Sequence, residues 1–310
     1  MEAHKQLTIG LFGFGVVGEG LYRVLQQTPS LRATIRKVCI KDPLKKRNAP
    51  QELFTTDKDE LLYDPDINVI VEVINETEPA FHIVSTALLN GKDVVSASKK
   101  MLAEHLPALL DLQKQTGHSL LYEAAACASI PVIRNLEEYY DNDLLHSIRA
   151  IVNGSTNFIL TKMFEENLDF KQALLLAQQL GFAESDPSLD VEGIDAVNKL
   201  SLLLTHAYGI VQHPSSIVFS GINNIQMSDA VVAQEKRFSI KLVAQMKKMQ
   251  NGQVAAFVLP QFVKTDRHLA FVKNEYNGVV IESSFADKQF FYGKGAGSFP
   301  TASAVLSDIS

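Results

Sequence analysis

The feature that most constrains the fold is a glycine-spaced turn, GFGVVG, that joins a short apolar run to a helical pattern near the N-terminus. Residues 7–12 form the apolar run, and Leu21, Val24 and Leu25 follow the turn at helical spacing. In such a strand–turn–helix unit the first glycine makes a tight turn and the second lets the backbone approach a pyrophosphate. The third lets helix and strand pack closely. The turn therefore predicts a dinucleotide site at the helix N-terminus, formed by Gly13, Phe14, Gly15, Val16, Val17 and Gly18.

Strand-like and helix-like patterns alternate through about residue 126, and this order predicts a parallel sheet with crossover helices. Residues 67–74, INVIVEVI, are nearly all β-branched, which is typical of a parallel strand covered on both faces. Residues 33–42 and 119–126 are predicted as further strands, the first ending at Asp42. We therefore expect a Rossmann-type α/β domain over residues 1–130.

The pattern changes after this point and predicts a second domain over residues 131–290. Residues 145–152 are predicted as a strand, helical stretches follow, and residues 238–293 then alternate in the manner of strands. Turns are expected at Asn251-Gly252 and at Asn277-Gly278. The second domain is therefore expected to be α+β, with a mostly antiparallel sheet.

Composition excludes several classes of protein. A length of 310 residues suggests about two domains, and a net charge of −6 from 29 basic and 35 acidic residues gives no basic excess for nucleic acid. Cys39 and Cys127 form no CxxC spacing, which favours a reducing cytoplasm. No uninterrupted apolar run reaches the roughly 18 residues of a membrane helix. The sequence therefore predicts a soluble cytoplasmic protein.

The choice of dinucleotide stays open between NAD and NADP. Asp42 lies 24 residues after Gly18, near the spacing expected for a carboxylate on the adenosine ribose, and it favours a free 2′-hydroxyl. A basic cluster beside it could bind a 2′-phosphate, or could simply be a solvated loop. We expect use of both cofactors. The cluster consists of Lys41, Lys45, Lys46 and Arg47.

An acidic loop, GFAESDPSLDVEGIDAVNK, runs from Gly181 to Lys199 and leads into the apolar run 200–204. Asp195 and Lys199 stand one helical turn apart, which in the simplest interpretation is a surface ion pair worth a few tenths of a kcal/mol. In the alternative, a partly buried Lys199 exchanges protons with a substrate oxygen, while the carboxylates bind a substrate ammonium group. The loop carries Glu184, Asp186, Asp190, Glu192 and Asp195.

Six motifs follow one another in an order and spacing that resemble one family over almost the whole chain. They are GFGVVG at Gly13, VVSASKKMLA at 94–103, YEAAACASIPVIRNL at 122–136, NGSTNFIL at 153–160, the acidic loop, and GKGAGSFPTASAV at 293–305. The sequence resembles homoserine dehydrogenase. This resemblance implies NAD(P)-linked interconversion of L-homoserine and L-aspartate 4-semialdehyde, within threonine, methionine and isoleucine biosynthesis. It also implies a homodimer formed by the second domain and a return of residues 291–310 to the nucleotide domain.

The resemblance also implies roles for single residues. Lys199 and Asp195 are the expected catalytic pair, and Lys99 is expected between cofactor and substrate, assisting electrostatically. Glu184 and Asp190 are expected to bind the substrate, Glu184 through its amino group. Asn75, Ser98, Lys99 and Gly297 are expected to join Asp42 and the glycine turn around the cofactor. A structural monovalent cation, Na⁺, is expected on the Glu123 side chain and the carbonyls of Ala126, Ala128 and Ile130.

Three departures from the family pattern affect these expectations. Asn75-Glu76 replaces a glycine pair, Ser98 replaces an asparagine, and residues 127–129 replace a glycine-rich turn. Two other functions therefore stay open: a reductase of another amino-acid aldehyde, and a non-catalytic dinucleotide sensor. Many relatives continue into a threonine-sensing domain beyond the position of Ser310, so we expect no threonine feedback through such a domain.

Overall fold

The computed structural model describes residues 6–140 and 144–310, and it divides into two compact units. The described residues up to Ser129 form the first unit together with Gly297–Ser310, and Ile130–Ala296 form the second.

The first unit is built on a six-stranded sheet in the order β3-β2-β1-β4-β5-β6, and every neighbouring pair is parallel. This is the strand order of two mononucleotide-binding halves, with the reversal of order between β1 and β4. The predicted parallel sheet is confirmed. Its strands are β1 Leu7–Phe12, β2 Ala33–Cys39, β3 Phe54–Thr55, β4 Val69–Glu72, β5 Asp93–Ser96 and β6 Leu120–Leu121, and the helices between them are α1 Val16–Gln27, α2 Asp59–Leu62, α3 Thr77–Leu89, α4 Lys99–Thr116 and α5 Ala124–Cys127.

The second unit carries the other sheet, in which only β8 and β10 pair in parallel. Its order is β12-β11-β7-β9-β10-β8, so the predicted mostly antiparallel sheet is confirmed. The helices are α6 Val132–Glu138, α7 Gly154–Glu165, α8 Phe170–Gln179, α9 Ser188–Val191, α10 Ile194–Tyr208 and α11 Met227–Glu235, and the strands are β7 Leu145–Ile151, β8 Val218–Phe219, β9 Phe238–Lys248, β10 Val254–Lys264, β11 Tyr276–Ser283 and β12 Asp287–Lys294.

Helix α12, Ser298–Ile309, completes the first unit by packing against α1. Ser298 Oγ donates to the carbonyl of Val16 at 2.7 Å. A Cβ at Gly20 would lie 2.5 Å from that hydroxyl, so only glycine lets the two helices approach this closely.

Three local predictions are wrong, each for a physical reason. Strand β2 ends at Cys39, and Asp42 accepts the Leu44 N–H at 2.9 Å in a local turn. Only Leu120–Leu121 of the stretch 119–126 is extended, because Ala124–Cys127 forms a helical turn of small residues. Asn277-Gly278 lies inside β11, where the Val272 side chain occupies the space of a Gly278 Cβ.

The turn predicted at Asn251-Gly252 is confirmed, since it joins β9 to β10. Gly117 ends α4 in the left-handed region, and the Asp169 side chain caps α8. Among the described residues, no helix combines the length and the apolar content that crossing a membrane requires.

Candidate active site

The glycine turn in the first unit has the geometry that its spacing predicts. Gly13 has a φ of 98°, and Gly15 is the N-cap of α1. A Cβ at Gly18 would lie 2.2 Å from the Gly13 carbonyl oxygen, so the third glycine is needed for helix and strand to approach. A Cβ at Gly15 would meet nothing within 4 Å, which leaves the helix N-terminus open. These residues fit a dinucleotide pyrophosphate held by backbone N–H groups.

The loop after β2 holds the residues predicted at the adenosine ribose. Asp42 is exposed, while the Lys41 ammonium lies 2.6 Å from a Glu76 carboxylate oxygen. The Arg47 guanidinium lies 5.5 Å from the centre of the Phe54 ring. Two of the four basic residues therefore have partners within the chain, and Glu76, one of the departures from the family pattern, is a partner of Lys41.

The other predicted cofactor residues follow parallel strands of the same sheet. Asn75 lies after β4, Ser98 is the N-cap of α4 after β5, and Lys99 begins that helix. Because the carboxyl ends of parallel strands meet at one edge, these residues share the edge with the glycine turn. Gly297, the N-cap of α12, has a φ of 115°, a conformation that favours glycine.

Sequence reasoning missed a buried carboxylate at this edge. Glu72, at the end of β4, is fully buried and accepts the Ser96 hydroxyl at 2.6 Å, the Ser98 hydroxyl at 2.8 Å and the Ile74 N–H at 2.7 Å. Burial raises the pKa of Glu72 despite these donors. The available signal was an acidic residue within an otherwise apolar parallel strand, where charges are rarely buried.

The Ser98 hydroxyl has a second acceptor beside Glu72. Its oxygen lies 2.7 Å from the Ile74 carbonyl as well as 2.8 Å from Glu72, and because a hydroxyl donates one proton, the two acceptors share one donor.

In the second unit, the acidic loop and α10 form a buried ion pair. Lys199 is 7% exposed and Asp195 is 4% exposed, and Nζ lies 2.8 Å from Oδ2. Lys199 also donates to the carbonyl of Val152 at 2.7 Å. This burial contradicts the interpretation of the two residues as a surface ion pair on a solvated helix face.

Asn153 connects this pair to another acidic residue of the loop. Its Nδ2 donates to Asp195 Oδ2 at 2.9 Å and to Asp190 Oδ1 at 2.6 Å. Its Oδ1 accepts the Thr156 N–H at 2.8 Å and so caps α7. The structure thus joins Asp190, Asp195 and Lys199, whereas Glu184 is exposed in the turn after α8 and lies outside this buried network.

A second asparagine supports the network from β11. Asn277 is fully buried, and its Nδ2 donates at 3.1 Å to the same Val152 carbonyl that accepts from Lys199. Its position within a strand was hidden by the turn-like pair Asn277-Gly278. Only the pairing of β11 with β7, which ends beside Val152, could have identified it.

The four residues predicted to bind a cation differ in their local structure. The Glu123 N–H donates to Asp308 Oδ2 at 2.9 Å, and Ala126 lies in α5. Ala128 has a φ of 45°, which explains why the family places glycine in this turn. Ile130 is the first residue of the second unit. Within residues 6–140 and 144–310, no group of three His, Cys, Asp or Glu side chains could hold a metal ion. The predicted cation site is of another kind, because three of its four ligands are backbone carbonyls.

An open parallel sheet with a glycine turn at the N-terminus of its first helix places this protein in the class of dinucleotide-binding α/β proteins. Two family models match the chain: "Homoserine dehydrogenase, NAD binding domain" over residues 13–123, and "Homoserine dehydrogenase" over residues 131–310. The chain belongs to the homoserine dehydrogenase family.

Individual relatives agree with this assignment. The chain is 35% identical over 314 residues to homoserine dehydrogenase of Bacillus subtilis, covering 98% of this chain and 72% of that protein. A crystal structure of the enzyme from Thiobacillus denitrificans matches with a TM-score of 0.93 at 32% identity, covering 98% of this chain and 72% of that one. A hyperthermophilic archaeal homoserine dehydrogenase mutant in complex with NADPH matches with a TM-score of 0.80 at 27% identity, covering 98% and 96%.

Proposed function

We propose that this chain interconverts L-homoserine and L-aspartate 4-semialdehyde with NAD(P), a step in threonine, methionine and isoleucine biosynthesis. The observation that carries the proposal is the buried Asp195–Lys199 pair, linked to Asp190 through Asn153. Burying an ion pair costs desolvation free energy, so a buried lysine and carboxylate in this position are consistent with a chemical role.

Lys199 acts as the proton donor and acceptor for the substrate oxygen. Within the described residues, Asp195 and Val152 take two of its three N–H groups, which leaves the third for that oxygen. Lys199 protonates the aldehyde oxygen in the reductive direction and accepts the hydroxyl proton in the oxidative direction. A bound nicotinamide supplies or takes the hydride at its C4 atom.

The remaining predicted residues bind and orient the substrate. Asp190 and Glu184 bind the substrate, and Glu184, in the exposed turn after α8, holds the ammonium group of the amino acid. Lys99, at the positive N-terminus of α4, stabilises negative charge on the reacting oxygen.

The chain uses both NAD and NADP in our proposal. Asp42 offers a carboxylate to a free 2′-hydroxyl, and the exposed Lys45 and Lys46 offer charge to a 2′-phosphate. Lys41 contributes less, because Glu76 neutralises it.

The two units have separate roles in this proposal. Residues 1–130 with 291–310 bind the dinucleotide, and residues 131–290 bind the substrate and form a homodimer. The dimer is proposed from the family resemblance, and the Phe262 side chain of β10, which is 59% exposed, offers it an apolar contact. A monomeric mass in light scattering at micromolar concentration would contradict it.

Two further features belong to the proposal. Glu123 with the carbonyls of Ala126, Ala128 and Ile130 binds Na⁺, a hard cation that suits oxygen ligands. Cys39 and Cys127 form no disulfide within the described residues, which is consistent with a reducing cytoplasm as the compartment.

The test is the absorbance of reduced cofactor when purified protein receives L-homoserine with NAD⁺ and, separately, with NADP⁺ at alkaline pH. We expect turnover with both, and a loss of about 10²- to 10⁴-fold in kcat for Lys199→Ala with cofactor binding retained. Lys162→Ala is the matched control, because Lys162 also pairs with a carboxylate one helical turn away, Glu166, at 2.7 Å.

Other results would favour the alternatives. Turnover with another amino-acid alcohol or aldehyde, and none with L-homoserine, would show that the chain acts on a different substrate. Tight cofactor binding without turnover on any substrate of such a panel would indicate a dinucleotide sensor.

A further inference from the structure

We propose that Asn153 is a positioning residue that couples substrate binding to proton transfer, because one fixed amide holds both Asp190 and Asp195. The inference rests on the proposed function and assigns Asn153 a part beyond its cap of α7. The Asn153 side chain contacts the Asp190 and Asp195 carboxylates and acts through them.

The orientation of the Asn153 amide is determined by its own contacts. Its oxygen accepts the Thr156 N–H at 2.8 Å and the Thr156 hydroxyl at 2.9 Å, so it cannot be the nitrogen. The nitrogen therefore faces Asp190 and Asp195, at 2.6 and 2.9 Å. An asparagine amide has two donors and two lone pairs, and all four are used at a site only 5% exposed.

These contacts place two carboxylates around one nitrogen. Asp190 comes from α9 and Asp195 from α10, and like charges held this close repel each other unless donors lie between them. Lys199 is the cation of the group and contacts Asp195 Oδ2, the same oxygen that accepts from Asn153. The amide thus fixes the oxygen against which the Lys199 ammonium is aligned.

No other residue type supplies the same set of contacts. Serine and aspartate cap a helix as well as asparagine does, but neither donates two hydrogen bonds from the capping side chain. This difference separates the two roles experimentally. Asn153→Ser retains a capping oxygen, removes the amide nitrogen with its two donors and adds no charge; its shorter side chain keeps a single hydroxyl donor. Asn153→Asp retains the cap and replaces the nitrogen with a negatively charged oxygen.

The experiment measures kcat and KM for L-homoserine, and the pH profile of kcat, for wild type and both variants. We expect Asn153→Ser to lower kcat/KM by about 10- to 100-fold, as a small misplacement of reacting groups does. We expect a larger loss in kcat/KM for Asn153→Asp, with its pH profile displaced to higher pH, because a third carboxylate adds negative charge beside Asp190 and Asp195. Cofactor binding should stay within about twofold of wild type.

Two controls separate positioning from folding. Asp169→Ala removes the cap of α8, away from these residues, and should leave kcat and KM unchanged. In an Asp190→Ala background, which lacks the acceptor of Asn153 Nδ2, the effect of Asn153→Ser should shrink, since the two residues act through one hydrogen bond. If Asn153→Ser lowers kcat/KM by the same factor in both backgrounds, the coupling between Asn153 and Asp190 is overturned. Partial unfolding of Asn153→Ser would act in both backgrounds alike and does not change this conclusion.

The outcomes distinguish this inference from the proposed function. Wild type without homoserine turnover would overturn both. Active wild type, with both Asn153 variants within twofold in kcat and KM and with unchanged pH profiles, would overturn the inference alone and leave Asn153 as a helix cap.

Discussion

The two units form their parts of the site in different ways. In the first, the main chain supplies most of the geometry: Gly13, Gly15 and Gly18 provide a turn, open space and a close helix approach. In the second, buried side chains meet from separate elements, with Asn153, Asp190 and Lys199 around Asp195. Backbone sites depend on residues that are close in sequence, whereas side-chain networks depend on tertiary packing.

The same contrast applies to two buried carboxylates. Among the described residues, Glu72 in the first unit accepts from neutral hydroxyl and amide groups alone, and burial raises its pKa. Asp195 in the second contacts the Lys199 ammonium at 2.8 Å. Burying a charge is expensive without a partner charge, so the two carboxylates should respond differently when their charge is removed.

The largest effect is expected from Gly18→Ala in the backbone-built site. The new Cβ would lie 2.2 Å from the Gly13 carbonyl oxygen, which cannot move without distorting the turn. We expect a loss of about 3 kcal/mol or more in the free energy of unfolding, together with loss of cofactor binding. Urea unfolding followed by circular dichroism measures the first quantity, and nicotinamide fluorescence the second.

Gly15→Ala is the matched variant for this prediction. Its Cβ meets nothing within 4 Å, so stability should change by about 1 kcal/mol or less while the dissociation constant of the cofactor rises at least about tenfold. Equal stabilities of the Gly18 and Gly15 variants would show that the third glycine does not control helix packing.

The next effect concerns the side-chain network, through Asp195→Asn. This change leaves the buried Lys199 ammonium without its partner charge, and we expect about 3 kcal/mol of lost stability together with lower kcat. The comparison is Glu166→Gln, which breaks an exposed pair with Lys162 and should cost less than about 0.5 kcal/mol. Similar losses in the two variants would mean that burial does not strengthen the Asp195–Lys199 pair.

Local periodicity in the sequence predicts a large part of the fold. The glycine turn, the parallel sheet and the capping of α8 by Asp169 all follow from neighbours within a few residues. The pair Asp195 and Lys199 is also visible, because helical spacing alone places both on one face. The burial of this pair is not visible in the sequence, because it depends on Val152 and on strands far along the chain.

The residues that sequence reasoning missed each depend on a contact across elements. The pair Asn277-Gly278 predicts a turn because Asn-Gly favours turns, yet strand pairing keeps Asn277 inside β11. The sequence indicates Asn153 only as a cap, since its nitrogen meets Asp190 and Asp195 some 40 residues away. Glu72 is concealed within an apolar strand, and its hydroxyl partners lie at and just after the end of β5, Ser96 and Ser98.

The smallest effect on stability is expected for Glu72→Gln, and it tests the contrast with Asp195 most directly. Glutamine keeps an oxygen for the Ile74 N–H and Ser98 and offers an N–H to Ser96, whose hydroxyl can rotate to accept it. Because no partner charge is lost, the free energy of unfolding at neutral pH should change by less than about 1 kcal/mol.

The pH dependence of stability in wild type and Glu72→Gln tests the sign of the contribution that Glu72 makes to stability. The folded pKa of Glu72 is raised above the value in the unfolded chain, so its contribution to stability is complete below the unfolded pKa and is lost as pH rises through the folded pKa. Wild type should therefore lose stability relative to Glu72→Gln from about pH 4.5 upward, until the folded carboxyl has ionised. Urea unfolding of both proteins across this range provides the difference curve. A wild type that instead gains stability relative to the variant as pH rises would mean that the three donors outweigh burial, and Glu72 would then resemble Asp195 in needing its charge.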